Sequence, residues 1–175
     1  VLSALDPRAP YVVDIRDLGR RAGAMKEITR QVPAAAGLGS GLAKVPESTE
    51  VDLDLRLESV VEGVYVSGTV RVDVAAECAR CLEPVTWEQI ADIEELFVYP
   101  PQDAHGHVTA EVDDEDDDAP PSIEGDLIDL EATVRDAVVL TLPIAPTCRD
   151  DCAGLCTVCG ARLDDDPGHS HETTD

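Results

Sequence analysis

VDLDLRLESVVEGVYVSGTVRVDVAAECARC, residues 51–81, decides the fold. Val51, Leu53, Leu55 and Leu57 alternate without a break with Asp52, Asp54, Arg56 and Glu58. A period of two marks a strand buried on one face only, the usual state of a strand in an antiparallel sheet. Glu62-Gly63 suits a turn, and Val64, Val66, Val70, Val72 and Val74 resume the alternation beyond it. The pair reads as a hairpin, which VTWEQIADIEELFVY (85–99) extends into a meander.

Working outward, YVVDIRDL (11–18) reads as a short strand. After it Leu18, Ala22, Met25, Ile28 and Val32 recur at steps of four, three, three and four, one apolar helical face ended by Pro33. Gly19 and Gly23 weaken its first turns and move the expected start to near Ala24. AAAGLGSGLAKVP (34–46) reads as flexible, and it lacks the Gly-Lys-Ser/Thr ending of a phosphate loop. From 100 to 122 the apolar pattern stops. EVDDEDDD (111–118) is acidic at seven of eight positions and buries too little apolar surface to offset the entropy of ordering, so a disordered loop is expected there. His105 and His107 within it read as surface residues. GDLIDLEATVRDAVVLTLP (125–143) predicts a helix over 126–142, capped by Asp126 and apolar at Leu127, Leu130, Val134, Ala137, Val138 and Thr141.

These elements predict an α+β fold: a curved antiparallel sheet or partial barrel, one long packing helix, and a cysteine-rich tail. The expected division is a core domain over 1–147, containing the acidic loop, and a zinc-binding tail over 148–175. At 175 residues the chain is long enough for a real core, and that core is aliphatic, with one Phe, one Trp and three Tyr in all. No apolar run approaches the length of a membrane span, and VLSALDPRAP lacks the basic-then-apolar pattern of a secretory signal. A cytoplasmic location with reduced thiols is expected.

The net charge of −24 is uneven: about neutral over 1–50, at +1, and −25 over 51–175. The second part repels a nucleic-acid backbone and attracts basic proteins. Only RDLGRRAGAMKEITR (16–30) is locally basic, through Arg16, Arg20, Arg21, Lys26 and Arg30. These five, with Arg80, are the residues available for contact with RNA or a partner. Arg80 is expected to pair with a neighbouring carboxylate.

All six cysteines fall in two groups. CARC (78–81) closes a strand, and Cys148, Cys152, Cys156 and Cys159 begin 66 residues further on. Two C-x-x-C pairs in one chain are a strong metal signal, because each turn aims both sulfurs to one side. His169 and His171 bring the candidate ligands to eight, enough for two tetrahedral zinc sites. The preferred partition assigns Cys78, Cys81, Cys148 and Cys152 to one site and Cys156, Cys159, His169 and His171 to the other. The alternative builds a single site from both C-x-x-C pairs and leaves Cys148 and Cys152 free or in a weaker site. An iron–sulfur cluster, a redox dithiol and a disulfide framework fit the pattern less well. Gly160, directly after Cys159, suits a knuckle because it tolerates positive φ. With thiolates filling the coordination sphere the metal is expected to hold shape. The sequence has no H-E-x-x-H, G-x-S-x-G or dinucleotide fingerprint.

ECARCLEPV (77–85), IDLEATVRDAVVLTLPIAP (128–146) and CRDDCAGLCTVCGARLDDD (148–166), in that order around an acidic gap, resemble the YceD family of large ribosomal RNA subunit accumulation proteins. The resemblance runs from DIRDLGRRAGAM (14–25) to the end. It implies a bacterial or plastid protein needed for accumulation of large-subunit rRNA, with no established catalysis. Many members end in a C-x-C pair where this chain has His169-Ser170-His171, an exchange that keeps two zinc-competent ligands. The expected function is a non-enzymatic accessory factor for large-subunit biogenesis, in contact with a basic ribosomal protein, an rRNA-processing factor or the pre-ribosomal large subunit. A zinc-dependent enzyme and a redox- or zinc-sensing switch are the alternatives.

Overall fold

A computed structural model of the chain describes residues 5–101 and 120–171. Its elements are β1 (Val12–Asp14), β2 (Met25–Pro33), β3 (Gly39–Ser40), β4 (Ala43–Lys44), β5 (Glu50–Ser59), β6 (Gly63–Glu77), β7 (Pro84–Val98), β8 (Leu127–Asp129) and α1 (Glu131–Thr141). The three strands read from alternation form the centre, with β5 antiparallel to β6 and β6 antiparallel to β7 along its whole length. β2 adds to the far side of β5, and the small β3–β4 hairpin pairs with the end of β6 beyond β5. The sheet is open and does not close into a barrel; β2 and β7 are its long edges. β1 and β8 make a separate two-stranded ladder.

One apolar layer holds the fold together. Val51, Leu53, Leu55 and Leu57 on β5, the valines of β6, and Ala91, Ile93 and Phe97 on β7 all face inward and are buried. Val134 and Val138 of α1, Leu130 just before it and Ile128 of β8 cover that face. Each fully buried aliphatic side chain contributes about 1.5–3 kcal/mol, so a core with almost no aromatic residues is still sufficient.

Three expectations are corrected. The segment expected to be a helix from near Ala24 is strand β2. Its exposure alternates residue by residue, with Lys26, Ile28, Arg30 and Val32 turned inward, and it pairs with β5 from Met25↔Glu58 to Pro33↔Glu50. Ile28 and Val32, four residues apart, fit both periods, while Met25 falls on the exposed side of the strand; the unfilled edge of β5 decides between the two. The helix expected over 126–142 begins only at Glu131, because Leu127–Asp129 pairs with Val12–Asp14 first. Asp129, not Asp126, accepts the N–H of Glu131, at 2.9 Å. The glycine-rich 34–46 stretch is ordered: Leu38, Ala43 and Val45 are buried, and Val45 N–H donates to Leu38 O at 2.8 Å. Most of the expected acidic loop, with His105 and His107, lies outside the described residues. Among the described residues no helix is long and apolar enough to cross a membrane.

Candidate metal centre

β6 ends at Glu77, and the chain then turns through Cys78-Ala79-Arg80-Cys81 before β7 starts at Pro84. Leu82 N–H donates back to Cys78 O at 2.9 Å, with Leu82 at a φ of 61°. The tail repeats this turn: Gly160 N–H donates to Cys156 O at 2.8 Å, with Gly160 at a φ of 73°. The two C-x-x-C segments are thus the same knuckle, one with the expected glycine and one with a leucine held in the left-handed region. A non-glycine residue there costs roughly 1–2 kcal/mol, which the surrounding contacts offset.

The tail is seated on the first knuckle by main-chain contacts. Ala79 N–H donates to Pro146 O at 2.7 Å, and Leu155 N–H to Arg80 O at 3.1 Å. Gly154 rests so close that an added Cβ would lie 3.0 Å from Arg80 O. Arg80 does not take a carboxylate. Its Nη1 donates to the carbonyls of Asp150 and Cys152, both at 3.1 Å, because the chain between the tail cysteines turns those oxygens toward it. Arg162 pairs with Glu83 at 2.7 Å, and Arg149 with Asp164, which also accepts Ala153 N–H. Arg162, Arg149 and Asp164 carry no motif of their own, and only their contacts reveal that they tie the tail down.

The eight candidate ligands fall into two groups of four. The donor atoms of Cys78, Cys81, Cys148 and Cys152 lie within 4.8 Å of one another, as do those of Cys156, Cys159, His169 and His171. Sulfurs 3.7 Å (Cys81–Cys148) and 3.8 Å (Cys78–Cys152) apart are far outside disulfide length, and all six cysteines are free. A tetrahedral zinc with bonds of about 2.3 Å to sulfur separates its sulfurs by about 3.8 Å. In the second group sulfur–nitrogen distances are 3.2 Å and the two histidine Nε2 atoms are 3.1 Å apart. The tetrahedral values are about 3.6 and 3.3 Å. Both donor sets therefore fit zinc in size and chemistry.

The groups differ in burial. Cys78, Cys81 and Cys152 are 0%, 4% and 3% exposed, whereas Cys159 and His171 are open to solvent. Without metal, the backbone N–H of Cys81 lowers the Cys78 thiol to about 6, and those of Cys159 and Val158 lower Cys156 to about 6. Burial pushes Cys152 up to about 12 and also raises Cys148. Cys78 and Cys156 are thus the readier thiolates, while Cys148 and Cys152 give up their protons when the metal displaces them. The sign of the pH effect follows, because bound zinc takes the deprotonated form and protons compete with it. Loading at pH 7 is expected to release protons from Cys148 and Cys152, and zinc affinity is expected to weaken as the pH falls, because protons compete for every thiolate ligand. Zinc release followed with a chromophoric chelator across pH checks this; an affinity that does not weaken as the pH falls would count against thiolate ligation.

The remaining basic candidates are scattered. Arg16 pairs with Asp14, Lys26 with Asp17 at 2.8 Å, and Arg30 donates to Val12 O at 2.8 Å. The Arg20 guanidinium lies 4.7 Å from the centre of the Tyr99 ring, and Arg21 is exposed. Most of these cations are already engaged within the fold.

An open antiparallel sheet, joined at the end of its central hairpin to a tail carrying two four-donor clusters, defines a β-rich protein with a metal-competent cysteine tail. The chain belongs to the YceD family: the family model described as "Large ribosomal RNA subunit accumulation protein YceD" matches residues 66–175. An uncharacterized protein of Mycobacterium tuberculosis is 45% identical over 167 residues, covering 95% of this chain and 77% of the relative. One of Mycobacterium leprae is 41% identical over 167 residues, covering 95% of this chain and 74% of its own. No solved structure matches the chain.

Proposed function

We propose that the protein is a non-catalytic accessory factor for accumulation of large-subunit rRNA, working through protein contacts, with one structural zinc ion fastening the tail to the sheet and a second closing a loop within the tail. The observation that carries the structural part is the pair of complete donor sets. Four protein ligands per cluster leave no open position for a substrate or an activated water, which a catalytic zinc needs. The ribosomal part is supported by the family description. The acidic surface favours a basic protein, such as a ribosomal protein or an rRNA-processing factor, over naked RNA. Cytoplasmic placement belongs to the same reading, as does a core over 1–147 with a tail over 148–175.

Depletion of the protein is expected to lower the ratio of large- to small-subunit rRNA, with rescue by the wild-type gene and not by Cys78→Ser. An unchanged ratio on depletion would sink the ribosomal role. The second cluster has a separate expectation. Cys159→Ser should remove one zinc per chain while costing no more than about 1 kcal/mol of core stability, since its ligands are largely exposed and span a short local loop. Metal content and thermal unfolding measured together check this. Its accessible thiols also support a zinc- or redox-sensing role; oxidation of Cys156 and Cys159 before any loss of the sheet would mark it.

A further inference from the structure

We infer that the edge of β7 facing away from β6, unpaired by any strand among the described residues, accepts an extended basic segment of a partner protein as an added strand. β7 pairs with β6 from Pro84 to Val98 without a bulge, so its backbone groups alternate strictly between the two edges. Val98 fixes the phase: its N–H donates to Pro121 O and its C=O accepts Ile123 N–H, both away from β6. The even-numbered residues Thr86, Glu88, Ile90, Asp92 and Glu94 therefore turn their N–H groups outward too. Among the described residues no strand pairs with them. Two outward groups are met locally, Leu96 N–H by Glu95 Oε1 and Ile90 C=O by the Gln89 side-chain amide, both at 3.0 Å. From Thr86 to Glu94 the outward N–H groups, and the outward C=O groups other than that of Ile90, have no strand partner among the described residues, and such an edge is a template for β-augmentation.

Charge selects the occupant. The outward side chains of β7 include Glu88, Asp92 and Glu94, and those of the neighbouring β6 include Asp73 and Glu77. Arg71 is the one cation at the outward positions of these two strands, and it lies 3.5 Å from Glu88. A second copy of β7 laid antiparallel on this edge would set Glu88, Asp92 and Glu94 near their own counterparts, and like charges facing each other across a ladder are unfavourable. RNA is repelled for the same reason. A strand with Lys or Arg at alternate positions hydrogen-bonds the edge and sets its cations over the acidic face. β2, the other long edge, ends in Pro33 and has Glu27 as its one outward acid.

This inference rests on the reading above in that the partner is a basic protein. The probe is a peptide of about ten residues alternating lysine with valine, added to the full zinc-loaded chain at physiological ionic strength. Hydrogen exchange read by NMR is expected to show new protection at Thr86, Glu88, Ile90, Asp92 and Glu94. The amides of Trp87, Gln89 and Ala91, already paired to β6, should be unchanged. Ile90→Pro removes an outward donor and no bond to β6, and should weaken binding about tenfold or more. The same peptide with N-methylated amides keeps its charge and should lose binding, which tests the idea even if the proline variant unfolds. Equal binding by the N-methylated peptide, absence of the protection pattern, or preferential protection by single-stranded RNA would each overturn it. Failure here with a preserved rRNA effect on depletion removes the docking edge alone. Edge protection with an unchanged rRNA ratio supports the docking edge and removes the ribosomal role alone.

Discussion

Cys78→Ser is expected to cost one zinc per chain and about 4 kcal/mol or more of stability, a drop in melting temperature on the order of 10 °C. Cys78 is fully buried at the end of the long strand β6, 3.8 Å from the Cys152 sulfur and in the same cluster as Cys81 and Cys148. Serine leaves three thiolates facing one another with a poorer fourth donor, and it frees a tail whose other ties are a few hydrogen bonds and exposed ion pairs, each worth about 1 kcal/mol or less. Structural zinc supplies on the order of 10 kcal/mol to the folds that use it, so losing a buried ligand outweighs any of those ties. Metal content by mass spectrometry and calorimetric unfolding of the same sample give the test. Two zinc ions and a wild-type transition in the variant would remove Cys78 from the ligand set. The contrast with Cys159→Ser, which costs a metal but little stability, separates a cluster that fastens the sheet from one that closes a surface loop.

Gly68→Ala is the second large effect, and it needs no metal. Gly68 occupies an inward position of β6, between Val66 and Val70, at a φ of 148°. A Cβ there would sit 2.1 Å from Asp54 O and 2.8 Å from Leu55 Cα, backbone atoms of the paired strand that have no rotamer to retreat into. The substitution combines backbone strain of about 1–3 kcal/mol with overpacking of about 1–3 kcal/mol, so a loss of roughly 3–5 kcal/mol is expected. Gly68 and Cys78 lie ten residues apart on an extended strand, so zinc content should stay at two per folded chain while the denaturant midpoint falls. An unfolding free energy within about 0.5 kcal/mol of wild type, on the scale of ordinary surface substitutions, would show that the two strands separate at little cost.

The clusters show which parts of this protein a linear reading reaches. The two C-x-x-C pairs are legible because each knuckle is a local turn, and Cys148, Cys152, His169 and His171 are legible as further zinc-competent residue types in the same tail. Their division depends on which sulfurs come within 4.8 Å, and the tail reaches the first knuckle through Ala79, Arg80, Gly154 and Arg162, whose contacts cross 66 residues or more. Arg80 illustrates the limit. Its charge suggests a carboxylate partner, yet two carbonyls turned toward it by the tail take its donors.

The same division runs through the fold. Alternation from Val51 to Val74 determined β5 and β6 unaided, since a side chain's face on a strand follows from its position in the chain. Ile28 and Val32, four residues apart, satisfy a helical and a strand period together, and only the open edge of β5 made that segment β2. Leu127–Asp129 carries helical spacing, but Val12–Asp14 offered it a ladder. Local periodicity records which residues are buried. Which element they join depends on hydrogen-bonding groups left unfilled elsewhere in the chain, and those exist only once the sheet has formed.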